Sequence, residues 1–90
     1  MNMYASFNRF EIRMTLEQAK SVSHQGDCYE DAKYLVNKLR AQLNKIPPEK
    51  IAEELKEYGA WDEVELSDHE ENLIRIVWIA GGDIIEEKGK

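Results

Sequence analysis

Apolar residues fall into four blocks along the 90-residue chain, and their spacing changes from block to block. In the first block, Phe10, Ile12 and Met14 alternate with Glu11 and Arg13. That is the two-residue period of a strand with one buried face, and it predicts a strand over residues 7–14. A lone strand leaves its backbone N–H and C=O groups unmet. It therefore requires a second strand elsewhere in the chain or a copy from another subunit, a first sign of self-association. Thr15 and Gln18 then have the spacing of a capping box, which places a helix over residues 16–24, stopping at Gly26.

The second block is the clearest. Cys28, Ala32, Leu35, Val36, Leu39, Leu43 and Ile46 recur at steps of three and four and draw one apolar stripe along a helix over 28–46, with Asp27 placed to cap it. Pro47 ends that helix, because the residue before a proline is disfavoured in the helical region. Pro48 suits the first turn of a helix over 48–58, with Ile51, Ala52, Leu55 and Tyr58 as its buried face and Gly59 as its stop.

The fourth block opens on a second capping-box spacing, Ser67 with Glu70, and Asp68, Glu70 and Glu71 put negative charge where a helix N-terminus favours it. A helix over 68–87 follows. Its LIRIVWIA run is polar only at Arg75, so it would sit at the centre of the fold or in a subunit interface. The β-branched residues of that run, followed by Gly81, Gly82 and Asp83, also suit a hairpin over 74–87. Acidic capping favours the helix. The fold expected is mainly α: a single domain over 1–90, a small bundle of three to four helices with a short N-terminal β-strand. The alternative is α+β with a C-terminal hairpin at 74–87.

Charge adds a second layer. The net charge is -6, but residues 1–48 hold seven bases and five acids, whereas residues 49–90 hold five bases and thirteen acids. A half at +2 followed by a half at -8 steers association with a basic partner, or with the first half of another copy. An acid surplus argues against direct nucleic-acid binding, which needs clustered Lys and Arg. The single cysteine, Cys28, closes no intrachain disulfide, and no stretch approaches the roughly 20 apolar residues of a membrane span. No secretory leader pattern opens the chain, and the expected location is cytoplasmic, with no membrane partner.

Catalytic signatures are absent: there is no glycine-rich phosphate loop, nucleophile elbow, C-x-x-C or H-E-x-x-H. No cofactor is expected, and the chain is read as a non-enzyme. His24, Asp27, Cys28 and Asp31 form the one grouping of metal-ligand side chains, a weak one because Cys28 lies on the apolar stripe. The stretch from Tyr58 to Arg75 is richer. Trp61 stands among Asp62, Glu63, Glu65, Asp68 and His69, an aromatic anchor inside an acidic patch suited to a basic protein face. Trp61 could equally fold back over the core while the acids stay solvated. Arg75, if buried, needs a carboxylate partner, and Glu71 one turn earlier is the nearest in sequence.

The run YGAWDEVELSDHEENLIRIVWIAGGDI resembles small proteins of about this length encoded in bacterial genomes, prophages and mobile elements. The resemblance covers the last third of the chain and, loosely, the SHQGDC turn. It carries no activity and no site, but it implies a mobile-element context, in which short acidic proteins often bind and block a host enzyme. The function expected is therefore a small acidic protein-binding module, an inhibitor or regulator, contacting its partner through Tyr58, Trp61, Asp62, Glu63, Glu65, Asp68, His69 and Arg75. Two alternatives stand beside it. One is a homo-oligomer, dimer or larger, that binds a nucleotide or metal; the other is a structural subunit of a larger assembly.

Overall fold

The computed structural model describes residues 3–5, 10–23 and 29–89. The chain is mainly α-helical. A short hairpin of β1 (Met3–Ala5) and β2 (Arg13–Thr15) leads into α1 (Leu16–Ser23), α2 (Tyr29–Lys38), α3 (Arg40–Leu43) and α4 (Pro48–Tyr58). A 3-10 turn (Leu66–Asp68) then opens α5 (His69–Gly89).

Helix α5 organises the molecule. Its 21 residues rise about 31 Å, close to the 34 Å long dimension of the chain. Helices α1, α2 and α4 all pack against it. Leu73, Ile74, Ile76, Val77, Ala80 and Ile84 are buried on several sides of it, as a helix apolar nearly all round requires. The run 74–87 is thus helical throughout, and the alternative C-terminal hairpin is corrected: α1, α2 and α4 cover the β-branched side chains that a hairpin would otherwise have buried.

The crossing of α1 over α5 depends on Gly81. A Cβ placed there would fall on Val22 Cγ2 and lie 3.3 Å from the Ala19 carbonyl oxygen. Gly82, the next residue, has no such neighbour within 4 Å.

Of the strand expected over 7–14, residues 7–9 lie outside the described residues, and in 10–14 only Arg13 and Met14 are in a strand, β2. Phe10 sits in a turn and Glu11 takes a left-handed φ of 51°, which breaks the extended run; regular pairing starts at Arg13. The partner strand lies within the chain, with Met3 opposite Thr15, Tyr4 opposite Met14 and Ala5 opposite Arg13. The outer edge of β2 is closed by a side chain: Arg13 N–H donates to Gln42 Oε1 (2.8 Å), and Gln42 Nε2 donates to the Arg13 carbonyl (2.7 Å). Strand pairing therefore requires no second subunit.

The Thr15–Gln18 box forms as spaced. Thr15 N–H donates to Gln18 Oε1 (2.9 Å) and Gln18 N–H to Thr15 Oγ1 (3.1 Å), which starts α1. The helix expected over 28–46 is broken at Leu39, where α2 gives way to the short α3 and the last turns tighten to three-residue bonds such as Ile46 N–H to Leu43 O (3.1 Å). Its stripe is nonetheless the core-facing one. Ala32, Leu35, Val36, Leu39 and Leu43 are buried and Ile46 half-buried, while Cys28 lies outside the described residues. Pro47 caps α4, Pro48 takes its first position, and Gly59 closes it with a left-handed φ of 78° and its N–H on Leu55 O. No helix among the described residues is long and apolar enough to cross a membrane.

Candidate docking face

Residues 59–68 return from α4 to α5 with an in-and-out alternation. Val64 enters the core and Trp61 packs against it, while Asp62, Glu63, Glu65, Leu66 and Asp68 stay exposed. Two hydrogen bonds pin the segment to α5. Asn72, buried to 1% exposure, donates from Nδ2 to the Glu65 carbonyl (2.9 Å). Arg75 Nη1 donates to Asn72 Oδ1 (3.1 Å) and to the Glu63 carbonyl (3.4 Å). The Arg75 guanidinium also lies 5.4 Å from the centre of the Trp61 ring, a cation–π contact.

Arg75 is thus held by Trp61, Asn72 and the loop backbone and makes no ion pair with Glu71 among the described residues. Glu71 accepts instead from Tyr29 Oη (3.1 Å). Trp61 is half-buried as a lid over the core, and its ring centre stands 5.9 Å from that of Tyr58. Tyr58, placed by periodicity on the buried face of α4, is 59% exposed, because the core ends at Leu55 and Tyr58 is the last residue of α4 before its Gly59 cap.

The Ser67–Glu70 box does not form. Ser67 lies inside the 3-10 turn, whose N-cap Glu65 makes no side-chain bond, and Glu70 is drawn away to Arg40, with Arg40 Nη1 2.8 Å from Glu70 Oε2. That bond holds the Glu70 carboxyl below its ordinary pKa, whereas the hydrogen bond to Glu71, helped by the charges of Glu71 and Glu30, raises the Tyr29 hydroxyl. Together the two contacts join α2 and α3 to α5.

The sign of their pH dependence is fixed. A depressed carboxyl stabilises the fold above the unfolded-state value, about 4.3, and loses that contribution as pH falls through the folded value. A raised tyrosine stabilises below its ordinary value and loses the contribution on alkaline titration. Thermal melts should show this as a shallower acid limb in Glu70→Gln and a shallower alkaline limb in Tyr29→Phe. Limbs superimposable on wild type would show that these contacts do not form in solution. Glu70 and Arg40 are exposed enough for added salt to screen much of their attraction.

Tyr34, Tyr58 and Leu66 are the exposed large apolar residues among those described, and the last two flank Trp61. Helix α4 packs on the 3-10 turn, so both belong to one region of surface. Tyr58, Leu66, part of Trp61 and the carboxylates of Asp62, Glu63, Glu65 and Asp68 make up this face, with half-buried His69 at its edge. Leu66 and Asn72 were not singled out from the sequence. Their signals were an apolar residue inside an acidic run and one amide at the head of an apolar helix.

Among the described residues no three His, Cys, Asp or Glu side chains gather as metal ligands. Asp31 is exposed on the first turn of α2, and His24, Asp27 and Cys28 lie outside the described residues. No family model, curated protein or solved structure matches the chain, so the reading of this face rests on its own chemistry.

Proposed function

We propose that the chain is a non-enzymatic protein-binding module that docks a basic protein surface through the 58–68 face. The observation that carries the proposal is the exposure of Tyr58 (59%) and Leu66 (50%) amid four exposed carboxylates, on a segment fixed from beneath by Asn72, Arg75 and Val64. An apolar centre with a charged rim is the usual anatomy of a binding hot spot. The carboxylates steer a basic partner and repel nucleic-acid phosphates. Pinning the loop in advance lowers the ordering cost of binding. A cytoplasmic inhibitor or regulator encoded by a mobile element fits within this reading.

The test is affinity capture from the source organism, with retained proteins identified by mass spectrometry. Wild type is expected to retain a basic partner, and Asp62→Lys/Glu63→Lys/Glu65→Lys and Tyr58→Ala/Leu66→Ser are each expected to lose it. Every changed side chain is exposed, so stability should move by no more than about 0.5 kcal/mol per site. Undiminished capture by both folded variants would overturn the proposal.

A further inference from the structure

A second surface lies at the other end of α4. Phe10, Ile46 and Pro47 form the apolar lining of an open groove of about 790 Å³, and Arg13, Lys45 and Lys50 stand on it, with Glu11 as the acid in its lining. None of these three cations makes an ion pair among the described residues. The backbone of Arg13 is taken up by Gln42, while its guanidinium makes no hydrogen bond or ion pair among the described residues. In a chain with eighteen acidic residues, three unpaired cations around one apolar groove are a local reversal of sign.

We infer that this groove receives the 58–68 face of a second copy of the chain, in a head-to-tail contact. The inference rests on reading 58–68 as a docking face and names one of its partners. The chemistry matches on both counts: the carboxylates of Asp62, Glu63, Glu65 and Asp68 meet Arg13, Lys45 and Lys50, while Tyr58 or Leu66 meets the lining of Phe10, Ile46 and Pro47. Within one molecule the two surfaces are held apart by α4, because Lys50 and Tyr58 are about 12 Å apart along its axis. Between copies nothing prevents the contact. Because the two patches differ, the contact is heterologous and leaves a free groove at one end and a free face at the other. Assembly therefore grows with concentration, and it hides the docking face from other partners.

Sedimentation equilibrium with paired charge reversals tests this. At low salt the wild-type weight-average mass should climb from the 10.5 kDa monomer as concentration rises. It should return to the monomer when the ionic strength goes from about 0.01 M to about 1 M, which shortens the screening length from about 30 Å to about 3 Å. The groove variant Arg13→Glu/Lys45→Glu/Lys50→Glu has two acidic surfaces and should be monomeric. The face variant Asp62→Lys/Glu63→Lys/Glu65→Lys has two basic surfaces and should also be monomeric. Mixed in equal amounts, the two variants are complementary again and should associate; rescue by mixing cannot come from a misfolded chain, and circular dichroism checks each variant alone.

Monomeric wild type at every concentration in low salt would overturn the inference, as would a mixture that fails to associate. The docking reading would then stand or fall separately. The groove variant keeps the 58–68 face intact, so it should capture a basic partner at least as well as wild type, and loss of capture by the face variant alone would support docking without self-association.

Discussion

Gly81→Ala is expected to destabilise the protein by about 1–3 kcal/mol, the usual cost of forcing an extra carbon into a packed contact. For a domain of this size that lowers the melting temperature by roughly 5–20 °C. The added methyl would have to displace Val22, whose β-branched side chain has few alternative rotamers, and would press on the Ala19 backbone, which cannot step aside without moving α1. The same substitution one residue later has the opposite sign. Gly82→Ala meets no neighbour and replaces a poor helix former with the best one, a gain of about 0.5–1 kcal/mol. Thermal or urea melts of the two variants measure both effects. Equal shifts of the same sign would mean that α1 does not cross α5 at Gly81.

Asn72→Leu is the second large effect, again about 1–3 kcal/mol destabilising. Leucine has the same branched skeleton and is the larger residue, so no cavity opens and the loss is not one of missing contacts. It removes the donor to the Glu65 carbonyl and the acceptor for Arg75 Nη1, leaving polar groups unmet in a site from which water is largely excluded. Asn72→Asp separates the two roles: it keeps an acceptor for Arg75 and loses the amide donor to Glu65. A lower melting temperature for both variants, with faster amide exchange confined to residues 59–68 in Asn72→Asp, is the predicted pattern. Wild-type stability in Asn72→Leu would show that the loop is held by Trp61 and Val64 alone.

These two sites show where the sequence was readable and where it was not. Features set by neighbours in the chain were legible: the Thr15–Gln18 box forms as spaced, Pro47, Pro48 and Gly59 mark the ends of their helices, and acidic residues ahead of an apolar run lead into a helix. Features set by distant contacts were not. Ser67 and Glu70 have the spacing of a box, but Arg40, thirty residues earlier, takes the Glu70 carboxylate. Arg75 has a carboxylate one turn before it, yet its place beneath Trp61 sends it to the loop carbonyl of Glu63 and to Asn72. Tyr58 continues the apolar stripe of α4 beyond the point where there is core left to cover it.

The same distinction holds for the two proposed surfaces. The acidic aromatic face occupies one stretch of chain and was visible as a stretch of chain. The basic groove draws on the turn at Phe10, strand β2, helix α3 and the start of α4, so its charges are scattered over forty residues and appear in the sequence only as a mildly positive first half. Folding turned a difference between halves into two opposed surfaces at the ends of one helix.

The central claim is that Tyr58 and Leu66, presented with their surrounding carboxylates on a pinned loop, form a docking surface. Its most direct test is capture by wild type and by Tyr58→Ala/Leu66→Ser, side by side at low ionic strength, with each protein's melting temperature recorded. The predicted result is a basic partner retained by wild type and lost by a variant that melts within a few degrees of it. Equal retention by the two equally folded proteins would contradict the claim.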